Sequence, residues 1–232
     1  MTNRIADISQ RKAARVAGFL YLIVIVAGVF AQFFVRQSLI VPGDAAATAN
    51  NIMASEWLFR LGFVSDLIVQ TCFLLLGLAL YVLLKPVNKN LASLMVLFVL
   101  ASVPIAMLNL LNHFVALPLL SGADYLTVFE AGQLHAQVML SLNLFEAGSH
   151  QIFWGLWLLP LGFLVYKSGY FPRILGVLLM IGCFGHLIDI FTFFLFPSYE
   201  VITYPGLAVA TIAEFSFCGW LLLKGAKVQR TH

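Results

Sequence analysis

Glu146 and His150 stand four residues apart, and His186 and Asp189 stand three apart. On a helix, either spacing puts a carboxylate and an imidazole on one face. Imidazole nitrogen and carboxylate oxygen are ligands for Zn²⁺ and for iron, and Glu214 or His113 would complete a coordination sphere. A metal held by His150, Glu146, His186 and Asp189 would activate water for attack on an ester or amide, the chemistry of a metal-dependent intramembrane hydrolase. No His-Glu-x-x-His string supports that reading. Other polar residues recur at helical spacing too. Asp66 and Gln70 are one turn apart, Asn109, Asn112 and His113 share a face, and Asn143 precedes Glu146 and His150. Glu214 has Ala210 and Cys218 one turn to either side.

These residues sit in long apolar runs, and the runs set the terms. The chain is 62% hydrophobic and 10% charged, with mean hydropathy +0.98. A soluble domain carries roughly 25% charged residues, so a bilayer has to solvate the outward faces. A spanning helix needs about 20 mostly apolar residues. Six runs qualify: Val16–Val35, Trp57–Leu84, Leu91–Phe114, Leu142–Tyr166, Pro172–Phe196 and Pro205–Leu223. The breaks carry punctuation, including Pro42-Gly43-Asp44, Lys85-Pro86, Ser121-Gly122, Gly169 before Pro172, and Phe196-Pro197. The sequence thus predicts an all-α membrane protein, a six-transmembrane-helix bundle over residues 16–223. Basic tails flank it at residues 1–15 and 224–232.

Charge placement orients the bundle. Arg4, Arg11, Lys12, Arg15, Lys85, Lys89, Lys167, Arg173, Lys224, Lys227 and Arg230 fall on one side, and Arg36 and Arg60 on the other. The positive-inside rule makes the first side cytoplasmic, so both termini are expected there. The net charge of +3 is then a topology signal, and nucleic acid is not an expected partner. The bilayer is one, and a small ligand from the outer side is another. Basic residues ahead of Val29-Phe30-Ala31 resemble a signal peptide, but the apolar run exceeds the usual length, so an uncleaved first span is expected. Cys72, Cys183 and Cys218 lie inside apolar runs with no Cys-x-x-Cys, and read as small buried hydrophobes. In the segment after Arg36, Asp44 is a good helix N-cap and Ala45–Ser55 is rich in helix formers, which predicts a short outer helix.

Depth then groups the polar residues. At the helical rise, Glu214 lies about 14 Å from the cytoplasmic end of its span, His186 and Asp189 about 18–22 Å, His150 about 24 Å and Asp66 about 27 Å. An ionisable side chain at such depth needs a partner or water. We therefore expect a polar cavity in the outer half of the bundle, which binds a small ligand or cation or serves assembly with partners, and whose polar cluster includes Arg60, Asp66, Gln70, Asn109, Glu146, His150, Asp189 and Glu214. Three roles stay open for it: a metal centre, a binding site for a small ligand or cation, or a structural set. In the structural set Asp66 pairs with Arg60 or His150, and Glu214 with a His. No internal repeat and no pair of broken helices is visible, which counts against an independent transporter.

Several strings carry a family resemblance. Ala17-Gly18-Phe19-Leu20-Tyr21-Leu22 opens the first span, Val41-Pro42-Gly43-Asp44-Ala45-Ala46 the outer loop, and Arg60-Leu61-Gly62 leads to Asp66. Leu80-Tyr81 leads to Lys85-Pro86-Val87-Asn88, and Ser168-Gly169-Tyr170-Phe171-Pro172-Arg173-Ile174-Leu175-Gly176 bridges the fourth and fifth spans. Leu187-Ile188-Asp189 and Glu214 follow. Over nearly its whole length the chain resembles the bacterial multi-pass membrane family called domain of unknown function 4386. The resemblance implies a bacterial cytoplasmic (inner) membrane protein and supplies no activity or cofactor. It matches Arg60, Asp66, Asp189 and Glu214 to the family pattern. His186 departs from that pattern, where Tyr is expected, and Glu146 and His150 fall outside it. That favours a cation-binding or structural core of Arg60, Asp66, Asp189 and Glu214 over the metal reading.

Overall fold

The structure is a computed structural model that describes residues 2–226, with side chains from Gln10 onward. Lys227 and Arg230 of the basic tail lie outside the described residues, as does the side chain of Arg4. Every regular element among the described residues is helical.

Helix α1 spans Thr2–Val29 and passes directly into a π-helical stretch, Phe30–Arg36, and a last α-turn, Gln37–Leu39. Helix α2 is Ala45–Ala54. Its N-cap is Asp44, whose carboxylate accepts from the Ala47 N–H at 2.8 Å, as the sequence predicts. Helices α3, Glu56–Leu84, and α4, Lys89–Phe114, follow. Helix α5 is Ala131–Glu146, α6 Gln151–Leu156 and α7 Leu158–Ser168. Helices α8, Arg173–Leu195, and α9, Tyr204–Leu223, complete the order.

Among the described residues, five stretches are long and apolar enough to cross a bilayer: Gln10–Leu39, Glu56–Leu84, Lys89–Leu119, Arg173–Leu195 and Pro197–Leu223. The expected fourth span differs, because it is interrupted. Helix α5 stops at Glu146, residues 147–150 are non-helical, and α6 starts after His150. Gly148 and Ser149 are weak helix formers, which permits the break. A second interruption falls at Trp157, where Pro160 has no N–H to return to the Leu156 carbonyl. A broken helix is therefore present where the sequence pattern shows none.

Contacts divide the chain into two units. Among the described residues, the first comprises residues 2–23, Thr71–Val103 and residues 149–226. Its core includes Tyr21, Leu76, Leu80, Met95, Trp157 and Phe217. Here small residues let backbones approach, as between Gly162 and Gly176, Gly185 and Gly206, and Gly182 and Ala210. The second unit comprises Val24–Gln70 and Pro104–Gly148. Val35, Leu39, Ile52, Phe59, Ala116, Leu117, Val138 and Leu142 form its core. In it, Gly62 of α3 packs directly under Val35.

Between α7 and α8, Gly169 closes α7 in the left-handed conformation (φ +67°) and Pro172 caps α8. The Ser-Gly-x-x-Pro-Arg string therefore has a local conformational role. A Cβ in that conformation costs roughly 1–2 kcal/mol. Gly169→Ala is expected to lower stability by about 1 kcal/mol on those grounds, read as an earlier unfolding midpoint in detergent. An unchanged midpoint would count against the cap.

Candidate functional site

In the second unit the polar residues converge on an arginine. Arg36 ends the π-helical stretch and is 9% exposed. Its Nη1 donates to Asp66 Oδ2 at 2.7 Å, and its Nε donates to Gln32 Oε1 at 2.7 Å. The same Nε lies 3.5 Å from Glu146 Oε1. The guanidinium sits 5.2 Å from the centre of the Phe145 ring, within cation–π range. Glu146 keeps 47% of its side chain exposed, whereas Asp66 keeps 10%. One guanidinium thus faces two carboxylates.

The wider register of π-helix gives this geometry a local basis. The Gln37 N–H bonds to the Gln32 carbonyl, five residues back, and the extra residue alters which side chains share a face. Gln32 and Arg36 remain paired while Val35 seats against Gly62 of α3. That contact brings α3, and with it Asp66, close to the stretch.

Helices α4 and α5 complete the surroundings. Asn109 Nδ2 donates to the Phe145 carbonyl at 2.7 Å and Asn112 Nδ2 to Asn109 Oδ1 at 2.9 Å. Asn109 therefore occupies a carbonyl just before the helix break. His113 is fully buried, stacked on Phe59 with ring centres 4.2 Å apart and near Phe145 at 5.1 Å. Neither of its ring nitrogens has a hydrogen-bond partner among the described residues. Gln70, one turn from Asp66 and 4% exposed, has an unpartnered Oε1.

In the first unit a smaller set forms. Tyr21 of α1 donates its hydroxyl to Glu214 Oε2 at 2.6 Å, and His186 Nε2 lies 3.6 Å from Glu214 Oε1. Asp189 is partly exposed on α8 and makes no ion pair or side-chain hydrogen bond among the described residues. His150 is buried with its ring edge-on to Trp154 at 5.0 Å, and its carbonyl accepts from the Ser102 hydroxyl at 3.5 Å.

The expected residues are therefore sorted in a way their spacing does not show. Asp66, Gln70, Asn109 and Glu146 belong to the second unit, while His150, His186, Asp189 and Glu214 belong to the first. Glu146 and His150 do not share a helical face, because the chain leaves the helix between them. Among the described residues, no three His, Cys, Asp or Glu side chains come together in a group able to hold a metal ion. Asp66 pairs with Arg36 and with neither Arg60 nor His150. Arg60 instead pairs along its own helix with Glu56, at 2.6 Å. Glu214 does stand beside a histidine, His186, at 3.6 Å. Tyr21, Gln32 and Arg36 take part in these sets although the expected cluster leaves them out. Arg36 read as a loop residue at the end of an apolar run, though its place four residues after Gln32 was a usable signal.

Residues 16–225 match the family described as Domain of unknown function (DUF4386). The match spans most of the sequence, and the chain belongs to that family. A relative from Archaeoglobus fulgidus, described as an uncharacterized protein, is 33% identical over 152 residues. The alignment covers 66% of this chain and 76% of that protein. No solved structure matches. The protein is thus a member of a family of unknown function whose apolar helices fit a multi-pass membrane protein.

Proposed function

We propose that this is a six-span protein of the bacterial cytoplasmic membrane that binds a small cation at the Arg36–Asp66–Glu146 cluster, without catalysis. The interrupted segment 131–168 supplies the sixth crossing, and an even number of spans puts both basic termini in the cytoplasm. The observation that carries the binding reading is the half-exposed carboxylate of Glu146 beside a buried Arg36–Asp66 pair. Arg36 and Asp66 neutralise each other where burial leaves little water, and Glu146 beside them is half-open. Intramembrane ionisable residues are rare and tend to mark ion or ligand sites. Discontinuous helices serve the same end in transporters, because a break frees backbone groups near the ligand. The break at residues 147–150 immediately follows Glu146.

Thermal melting of the purified protein in detergent tests the reading, with tetramethylammonium and K⁺ chlorides compared at constant ionic strength. Binding at 100 times Kd stabilises a native state by about 2.7 kcal/mol. One of the two cations is expected to raise Tm saturably in the wild type, and Glu146→Gln is expected to abolish that rise. No rise with either cation, or an equal rise in Glu146→Gln, would refute the site.

A further inference from the structure

The second unit also contains a cavity of about 340 Å³ that the charge cluster does not line. Small-ligand sites run from about 300 to 1,000 Å³, so the volume suffices for one compact group. Its walls include Ile52 of α2, Phe114 at the end of α4, and Leu117 and Leu120 just beyond. Its charged wall is Glu56 and Arg60, on the first turns of α3, and Ser121 is a further polar residue of the lining. The cavity is therefore amphipathic, with hydrocarbon on most sides and one charge of each sign.

The charged pair is made in a way that leaves hydrogen-bonding capacity over. Arg60 Nε and Nη2 both reach Glu56 Oε1, at 2.7 and 2.6 Å. The second carboxylate oxygen and the Nη1 group take no other ion pair or side-chain hydrogen bond among the described residues. Both side chains stay about half-exposed, 46% and 53%, and are thus accessible. A guanidinium is the side chain best shaped for a phosphate, through paired N–H donors. A carboxylate beside it suits a primary ammonium. A headgroup bearing only negative charge would leave Glu56 sharing Arg60 with the phosphate, with no ammonium of its own.

From this arrangement we propose that the cavity binds a membrane lipid whose headgroup joins a phosphate to a primary ammonium. Arg60 takes the phosphate, Glu56 takes the ammonium, and the upper part of an acyl chain lies against Ile52, Phe114, Leu117 and Leu120. The entrance to α3 is where a span meets the headgroup layer, so the polar wall stands at the depth of such a group. The site is separate from the proposed cation site, and neither depends on the other.

Native mass spectrometry on the full chain in detergent tests this with dihexanoyl phosphatidylethanolamine, dihexanoyl phosphatidylglycerol and free phosphoethanolamine as probes. The wild type is expected to bind the ethanolamine lipid about tenfold more tightly than the glycerol lipid, and free phosphoethanolamine more weakly than either. Arg60→Gln is expected to weaken the ethanolamine lipid about tenfold, and Glu56→Gln to bring the two lipids to about equal affinity. Met53→Trp, at a half-exposed position on the wall, fills space without touching the charges and is expected to weaken both lipids. Equal affinity for the two lipids in the wild type would overturn the proposal. So would headgroup-alone binding as tight as lipid, or variants that bind like wild type while melting normally.

Discussion

Arg36→Met is expected to destabilise the protein by about 3 kcal/mol, the low end of what breaking a buried ion pair costs. The side chains of Arg36 and Asp66 each keep a tenth of their surface, and the variant strands the carboxylate in an apolar setting. Gln32 and Glu146 lose a partner as well. The partner variant Asp66→Leu strands the guanidinium and should cost a similar amount. The double variant Arg36→Met/Asp66→Leu removes both charges together. Apolar replacement of a whole buried pair is often neutral or better, so the double variant should recover most of the loss. Reversible unfolding in a fixed detergent, analysed as a double-mutant cycle, reads the coupling directly. Additive losses would mean that the two residues do not act as a pair. Full recovery of stability with loss of cation-induced melting shifts would separate the structural role of the cluster from its binding role.

Gly176→Ala is expected to be, with Gly185→Ala, among the most damaging single-methyl changes in the first unit. A Cβ there would meet the Gly162 carbonyl oxygen at 2.5 Å and the Tyr166 nitrogen at 2.6 Å. Both obstacles are backbone, so α7 and α8 would have to separate. Overpacking a tight core costs typically 1–3 kcal/mol, and backbone obstruction puts this change at about 3 kcal/mol. Gly219 of α9 is the control, because a Cβ there meets nothing within 4 Å. Gly219→Ala should be neutral or stabilising by up to about 1 kcal/mol through helix propensity. Equal melting temperatures for the two variants would refute the idea that close backbone approach holds α7 against α8.

The two results bear on different links of one chain of cause. Small residues let helices approach, and approach then decides which polar groups meet. Gly62 under Val35 is the instance nearest the candidate site, because it ties the π-helical stretch to α3 four residues before Asp66. The Tyr21–Glu214 bond joins residues 193 positions apart, and the Arg36–Asp66 bond residues 30 apart. Neither separation leaves a mark in local spacing.

What the sequence determined by itself was local. Apolar runs placed α3 and α4 within two residues of their ends, Asp44 announced the cap of α2, and Gly169 with Pro172 marked the passage from α7 to α8. These features depend on propensity, capping and length, which act over a few residues and are written in order along the chain. Family membership was legible for a similar reason, since its strings are contiguous. Tertiary structure alone decided the partners. Periodicity put Asp66 and Gln70 on one face, but rotation and register of the neighbouring helices chose Arg36 over Arg60. It also separated Glu146 from His150, whose spacing looked helical until the chain left the helix between them. Spacing describes a face, whereas an ion pair needs two faces brought together, and packing of distant segments supplies that second condition.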